Sequence, residues 1–385
     1  MNKWDFLVLG ASGMQGRIAT REFLESGFSV FLADIWKGGS EKNMQRAPQK
    51  TAFEVCDLRN EEATYNLIKK VGANLLLNCA EGDWNLNVYQ AALKAKANVL
   101  DLGSDIEMTK KQMAMGPFFK QDNLIAITGC GSTPGVNNIM LNYAIKEFDS
   151  IHTIEAGFVW DSNIKKFVVP FSIESILAEI TEPAPVIENG EWSTKTPLEN
   201  IKVRKFKGIG KQKYFPVIHP ETYTFFINYQ NEGLKNMTFY AGFPDHSLTQ
   251  LVSFVELGLG SSEPIKIDNV IVRPIDVLTQ SLRNLKIPDG YTEKENLWTE
   301  VRGIKDEKEK IVLMECIVPT LPGWEDAGCN IDTGITAAIM AKMVKDGRVP
   351  TRGSYTPAMV IPEKEFFKEL KKRKMKVHRN GVLIN

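Results

Sequence analysis

Short apolar runs punctuate the first third of the chain at residues 6–9, 28–33, 52–56, 75–79, 99–102 and 124–128, each only four to six residues long. Runs that short, without polar alternation, match strands buried on both faces rather than helices. Between the first two, Ile18, Phe23 and Leu24 recur at helical spacing among charged residues, and helical patterns also separate the later strands. Strands alternating with amphipathic helices predict an α/β domain with a doubly wound parallel sheet. Its crossovers are right-handed and its ligand site lies beyond the carboxyl ends of the strands.

From about residue 153 the pattern changes. Segments 154–160 and 166–169 read as strands, and Ser172 opens a helix that places Ile173, Ile176, Leu177 and Ile180 on one face. Pro183 stops that helix, and Asn189 followed by Gly190 between short extended runs predicts a tight hairpin. Further strands are expected at 237–241, 269–272, 299–303 and 310–317, with the fully charged segment 305–310 as a hairpin tip. These features describe a second α+β domain with a mixed or antiparallel sheet. The continuously apolar helix at 334–344 is expected to be buried between domains, where the chain returns to the first. The predicted division is a dinucleotide-binding domain at 1–130, a catalytic and dimerisation domain at 131–332, and returning C-terminal helices at 333–385.

The chemistry of the first domain follows from its first turn. The first strand runs into Gly10, Ala11, Ser12, Gly13, Met14, Gln15 and Gly16, and the second ends on Asp34. Three glycines allow a sharp strand-to-helix turn and close approach of a pyrophosphate, which the helix N-terminus attracts. An acid about twenty residues further on accepts bonds from the adenosine ribose. This is a Rossmann fingerprint for NAD, with NADP possible because Lys37 follows Asp34. Other strand ends supply further candidates. Asp57 falls where adenine lies, and Asn78, Cys79 and Ala80 fall beside the nicotinamide ribose. Asp101 is either a catalytic carboxylate or a cap for neighbouring backbone.

Composition narrows the function classes. The 47 basic and 47 acidic residues balance, so no global field draws the chain to nucleic acid or an anionic membrane. The basic segment 364–376 carries Phe366, Phe367 and Leu370 at helical spacing and reads as a solvated amphipathic helix. Five scattered cysteines lack ligand spacing, so reduced thiols and no metal are expected. No apolar run nears the roughly 20 residues of a membrane span and no leader precedes the first strand, so a cytoplasmic protein is expected.

Several segments together resemble the saccharopine dehydrogenase family over nearly the whole chain. Gly129 with Pro134 and Gly135 is similar to the family turn that opens a helix beside the nicotinamide. Residues 172–177 and 181–192, then 251–258, Val301 to Gly303, and the Gly334 helix with Gly347, Arg352 and Gly353 follow in family order. Within the family the segments look most like lysine 6-dehydrogenases. The resemblance implies hydride exchange at a C–N bond of a small amine or amino acid, and a homodimer. The alternative is an imine reductase of the saccharopine or carboxynorspermidine dehydrogenase type. A reading of another class, a catalytically silent NAD-binding sensor or interaction protein, is motivated by Gly242 to Asp245, where this chain departs from the Arg and Gly of the lysine dehydrogenase pattern.

An amine with a pKa of roughly 10.4 must lose a proton before it reacts at nitrogen, so a general base is needed. His246, which keeps the family histidine, is the first candidate, and His219 is the second, alternatively a histidine at a strand end. Glu182 and Asp83 are candidates for an ammonium group, with helix termination as the other reading of Glu182. Trp192 is either a wall for an aliphatic substrate or a core residue.

Overall fold

The computed structural model describes residues 4–169, 172–282 and 285–385. The chain forms two compact units, one of residues 1–147, 330–378 and 383–385 and the other of residues 148–329 and 379–382.

The first unit is built on a seven-stranded, wholly parallel sheet. Its strands β1 (Phe6–Leu9), β2 (Val30–Asp34), β3 (Thr51–Val55), β4 (Leu75–Asn78), β5 (Asn98–Asp101) and β6 (Ile125–Ile127) are those predicted, within two residues at each end. The late strand Gly353–Tyr355 pairs in parallel with β6 and completes the order Gly353–Tyr355, β6, β5, β4, β1, β2, β3. Strand order reverses between β1 and β4, the switch point where open α/β sheets bind ligands. Every residue of β1 is fully buried, which explains its unbroken apolarity.

Helix α1 (Met14–Glu25) follows β1, and the helix Ile331–Lys345 packs against it. The apolarity of that second helix is therefore satisfied within the first unit, against α1, β4 and β5. Val136–Ile145, which the sequence reading gave to the second domain, is held in the same unit. Its Ile139, Met140, Leu141 and Ala144 are fully buried, and Tyr143 meets Phe367 edge-on at 5.5 Å.

The second unit is a mixed sheet. Its strands run Lys202–Phe206, Gly210–Pro216, Asn236–Gly242, Ser150–Ser162, Glu293–Lys305, Lys308–Pro319, with only the central pair Asn236–Gly242 and Ser150–Ser162 parallel. Two hairpins stand where the sequence placed them. Asn189 and Gly190 at φ 54° and 86° join Ala184–Glu188 to Glu191–Lys195, and Asp306 and Glu307 at φ 49° and 62° join Glu293–Lys305 to Lys308–Pro319. Both central residues left-handed is the geometry whose twist matches a hairpin. Ser172 caps Ile173–Thr181 by accepting the Ser175 amide, and the four predicted apolar positions are buried. The strand expected at 166–169 is absent. Ser162 Oγ and the Lys166 amide both donate to the Ile164 carbonyl, turning the chain out of the sheet.

Candidate active site

The glycine turn has the geometry its spacing promised. Gly10 is left-handed at φ +68°, and a Cβ there would lie 2.4 Å from the Ala80 amide nitrogen, because the turns after β1 and β4 meet at the switch point. A Cβ on Gly16 would lie 2.1 Å from the Gly10 carbonyl oxygen, so α1 starts against the turn only without one. Gly13 is different. It is exposed, and a Cβ there would meet the Gly10 carbonyl oxygen at 3.4 Å, an ordinary contact. No side chain caps the N-terminus of α1, which leaves its first amides aimed outward for an anion. These residues fit a dinucleotide pyrophosphate.

Asp34 fixes this turn. Its Oδ2 accepts the Ser12 amide at 2.9 Å and its Oδ1 accepts the Ile35 amide at 2.7 Å. Ser12 Oγ in turn donates to the Trp36 carbonyl at 2.7 Å and meets Ser40 Oγ at 2.9 Å. Carboxylate oxygens have lone pairs to spare beyond these bonds, so the ribose role is compatible with them. Ile35 and Trp36 beside it are about 60% exposed. Gln15 donates to Asn330 at 3.1 Å, while Met14 is exposed and Ala11 buried beside the turn.

The other strand ends divide. Asp57 is at the surface, paired with Arg59 at 2.6 Å, and that guanidinium holds its carboxyl below the usual range. Asn78 is fully buried, donating to Asn85 at 2.8 Å and accepting the Ala80 amide at 3.2 Å, so it shapes the turn from within. Cys79 is half-buried and burial raises its thiol. Pro134 lies under Gly103 and Gly129, and Gly135 opens the helix Val136–Ile145.

Asp101 takes the capping role. It is fully buried, and its carboxylate accepts Tyr89 Oη at 2.6 Å, Gln112 Nε2 at 2.7 Å, the Gly103 amide at 2.6 Å, Thr128 Oγ1 at 3.1 Å and the Gly129 amide at 3.2 Å. Five donors leave no oxygen facing a substrate. Burial raises its carboxyl despite them.

In the second unit, His246 is the second residue of the helix Asp245–Glu256 and lines a cavity of about 300 Å³ with Asp161, Lys165, Lys211, Gln212, Lys213 and Asp245. Burial lowers its pKa, and the positive charge of Lys165 lowers it further. The imidazole is therefore neutral near pH 7, and its Nε2 is buried without a hydrogen-bond partner. Lys165 pairs with Asp161 at 2.5 Å and Lys213 with Asp245 at 3.1 Å, which leaves Lys211 uncommitted. Gly242 belongs to this geometry. A Cβ there would lie 2.4 Å from Val159 Cγ1 and 2.9 Å from the Lys213 carbonyl, so this backbone has no room for the arginine of the lysine dehydrogenase pattern.

His219 stacks on Phe239 at 4.0 Å, and its Nδ1 is bonded to the fully buried Glu221. Glu182 and Asp83 are exposed, and Trp192 is 49% exposed against Phe226. Neither Glu182 nor Trp192, which share the unit of His246, lines its cavity. Sequence reasoning missed the three lysines, since Lys211 and Lys213 alternate along a strand like any solvated face. It also missed Glu179, although a carboxylate on the apolar side of the helix Ile173–Thr181 was a readable signal.

Residues 131–375 match the saccharopine dehydrogenase C-terminal domain, and residues 6–107 match the NAD dependent epimerase/dehydratase family. The carboxynorspermidine synthase of Vibrio alginolyticus is 26% identical over 84% of this chain and 81% of its own. The carboxyaminopropylagmatine dehydrogenase of Synechocystis is 24% identical over 81% of this chain and 79% of its own. The saccharopine dehydrogenase (L-Glu forming) of Saccharomyces cerevisiae has the same fold, with a TM-score of 0.77 at 13% identity over 98% of this chain and 99% of that one. These relatives bear polyamine and saccharopine names, and the expected likeness to lysine 6-dehydrogenases gives way to them. With most of its length matched to that C-terminal domain and an N-terminal segment matched to an NAD-dependent family, the chain belongs to the saccharopine dehydrogenase family of nicotinamide-dependent oxidoreductases.

Proposed function

We propose that the protein reduces an imine formed between an amine and a carboxylate-bearing carbonyl compound, yielding a carboxylated polyamine. The observation that carries this reading is the His246 cavity. Its three lysines face two aspartates, a net positive lining with one ammonium free to hold a carboxylate. Four arginines that would suit the same carboxylate are engaged elsewhere. Arg204 and Arg302 pair with Glu300, Arg273 pairs with Asp276, and Arg352 donates to the Val349 and Thr351 carbonyls. The names of the Vibrio and Synechocystis relatives support the same substrate class.

In this reading the amine arrives as an ammonium ion and gives a proton to the free Nε2 of neutral His246. The amine nitrogen then adds to the carbonyl carbon, water leaves, and a C=N bond forms. The proton taken up by His246 leaves with the carbonyl oxygen as water, and NADH or NADPH held at the Gly10–Gly16 turn and Asp34 would supply the hydride that reduces the C=N carbon. The lysines hold the carboxylate so that the carbonyl stays within reach of His246. Asp34 favours NAD over NADP by repelling a 2′-phosphate, and Lys37 tempers that preference.

Mixing the protein with NADH or NADPH, a diamine such as 1,3-diaminopropane or agmatine, and an α-amino-acid semialdehyde tests the proposal. Nicotinamide absorbance should fall only when amine and aldehyde are both present. Reduction of NAD by lysine alone would restore the lysine 6-dehydrogenase reading. Silence in both directions would favour a non-catalytic NAD-binding protein.

A further inference from the structure

Segment 257–287 of the second unit holds nine of the 21 large apolar side chains exposed among the described residues. At its centre the strands Ile265–Ile267 and Val270–Val272 form a two-stranded hairpin that stands apart from both larger sheets. The pairing puts Ile265, Ile267, Val270 and Val272 on one face, where the first three are 48%, 53% and 60% exposed. A lone two-stranded hairpin is marginal in water until further strands or a helix cover it. Four β-branched residues on an open face therefore describe a surface built to be covered.

The free edge specifies the occupant. The two-residue loop of Asp268 and Asn269 makes Ile267 and Val270 the hydrogen-bonded pair nearest the turn, so the next pair, Lys266 and Ile271, turns its amides and carbonyls outward. Ile271 is 72% exposed, and among the described residues its backbone N–H and C=O meet no partner. Pro264 and Lys266 guard the other strand, whereas Val270–Val272 has neither charge nor proline. Read antiparallel, Val-Ile-Val is its own complement. About a two-fold axis at Ile271, Val270 of each copy faces Val272 of the other, and the two Ile271 residues exchange both backbone hydrogen bonds. Charge agrees with this register, which sets Asn269 opposite Arg273 and brings the exposed Asp268 of one copy beside the exposed Arg273 of the other.

We propose that this hairpin is the contact between two copies of the chain, which join edge to edge into a four-stranded antiparallel sheet. Ile271 belongs to the opposite face from Val270 and lines a groove of about 530 Å³ with Val277, Gln280 and Ser281 of the helix Pro274–Leu282. The second copy's Ile271 lands beside it, at that groove. The area suffices. The nine side chains, each more than a third exposed, offer roughly 500 Å² of apolar surface at about 100 Å² per aliphatic side chain. Interfaces are about 60% apolar, so this corresponds to roughly 800 Å² per copy, the size of a standard contact.

Sedimentation of the full chain at rising protein concentration, without substrate or cofactor, should show a monomer–dimer equilibrium with a micromolar or tighter dissociation constant. Ile271→Lys sets like charges face to face at the axis and should weaken the dimer about tenfold or more with an unchanged melting temperature. Ile271→Cys places two thiols on residues about 5.5 Å apart between Cα atoms, so a short bifunctional maleimide should link it into a covalent dimer above the wild-type background. Lys266→Cys lies about 14 Å from its copy in the same sheet and should link about tenfold more slowly. A monomer throughout, a dimer indifferent to Ile271→Lys, or equal linking at the two positions would overturn the proposal. None of these readouts depends on turnover, so they stand apart from the outcome of the imine reductase assay.

Discussion

Asp101→Asn separates a structural hub from a catalytic carboxylate. The wild-type carboxylate divides its donors: Gly103, Thr128 and Gly129 on Oδ1, Tyr89 and Gln112 on Oδ2. An amide keeps one acceptor oxygen, which satisfies the three-donor side. Its NH₂ then faces Tyr89 and Gln112. The tyrosine hydroxyl can rotate and accept, but Gln112 Nε2, which donates to the carboxylate in the wild type, now meets another donor. One orphaned buried donor costs about 1–3 kcal/mol, and replacing charged bonds by neutral ones costs roughly 1 kcal/mol more. The expected loss is about 2–4 kcal/mol, a large share of the 5–15 kcal/mol typical of a folded domain. Native-state hydrogen exchange of the β5 amides reads this in the first unit alone. Protection unchanged within about 0.5 kcal/mol, together with a hundredfold loss of turnover, would refute the hub and return Asp101 to the chemistry.

Four further outcomes follow from the same geometry. Asp34→Ala should raise the NAD dissociation constant about tenfold and narrow the margin over NADP, measured by quenching of protein fluorescence; an unchanged preference would defeat the ribose assignment. His246→Ala should lower kcat by about a hundredfold or more while the cofactor dissociation constant moves less than threefold; intact turnover would make it structural. Lys211→Ala should raise KM for the carboxylated partner about tenfold with little change in kcat or Tm, since no partner holds its ammonium; an unchanged KM would remove the carboxylate from this cavity. Glu179→Gln should alter the dependence of stability on pH. The folded-state pKa of Glu179 is raised, from 4.5 to about 7, so its contribution is fully present below about pH 4.5 and is lost as pH rises through about 7. Relative to the glutamine variant, the wild type should therefore lose about 3 kcal/mol between pH 4.5 and pH 8. Parallel urea midpoints at the two pH values would contradict the burial of that carboxyl.

The parts of this protein legible in its sequence are those governed by neighbours along the chain. The glycine turn, the N-cap at Ser172, the hairpin at Asn189 and Gly190 and the first six strands depend on local backbone freedom, local hydrogen bonds and side-chain period. The late strand Gly353–Tyr355 escaped because three residues carry no period; its place beside β6 comes from a partner more than two hundred residues earlier. Asp101 was ambiguous for the same reason, since four of its five donors come from other elements.

The sequence by itself thus determined a dinucleotide-binding α/β domain joined to a strand-rich second domain, and through its motifs the family. Tertiary structure alone decided which charges meet. It gathered Lys165, Lys211 and Lys213 around His246, left Trp192, Asp83 and Glu182 at the surface, and buried Glu179 near His219. Recognition of a charged substrate rests on groups brought together from distant strands and helices, and the desolvation that tunes their pKa values exists only once the chain has folded around them.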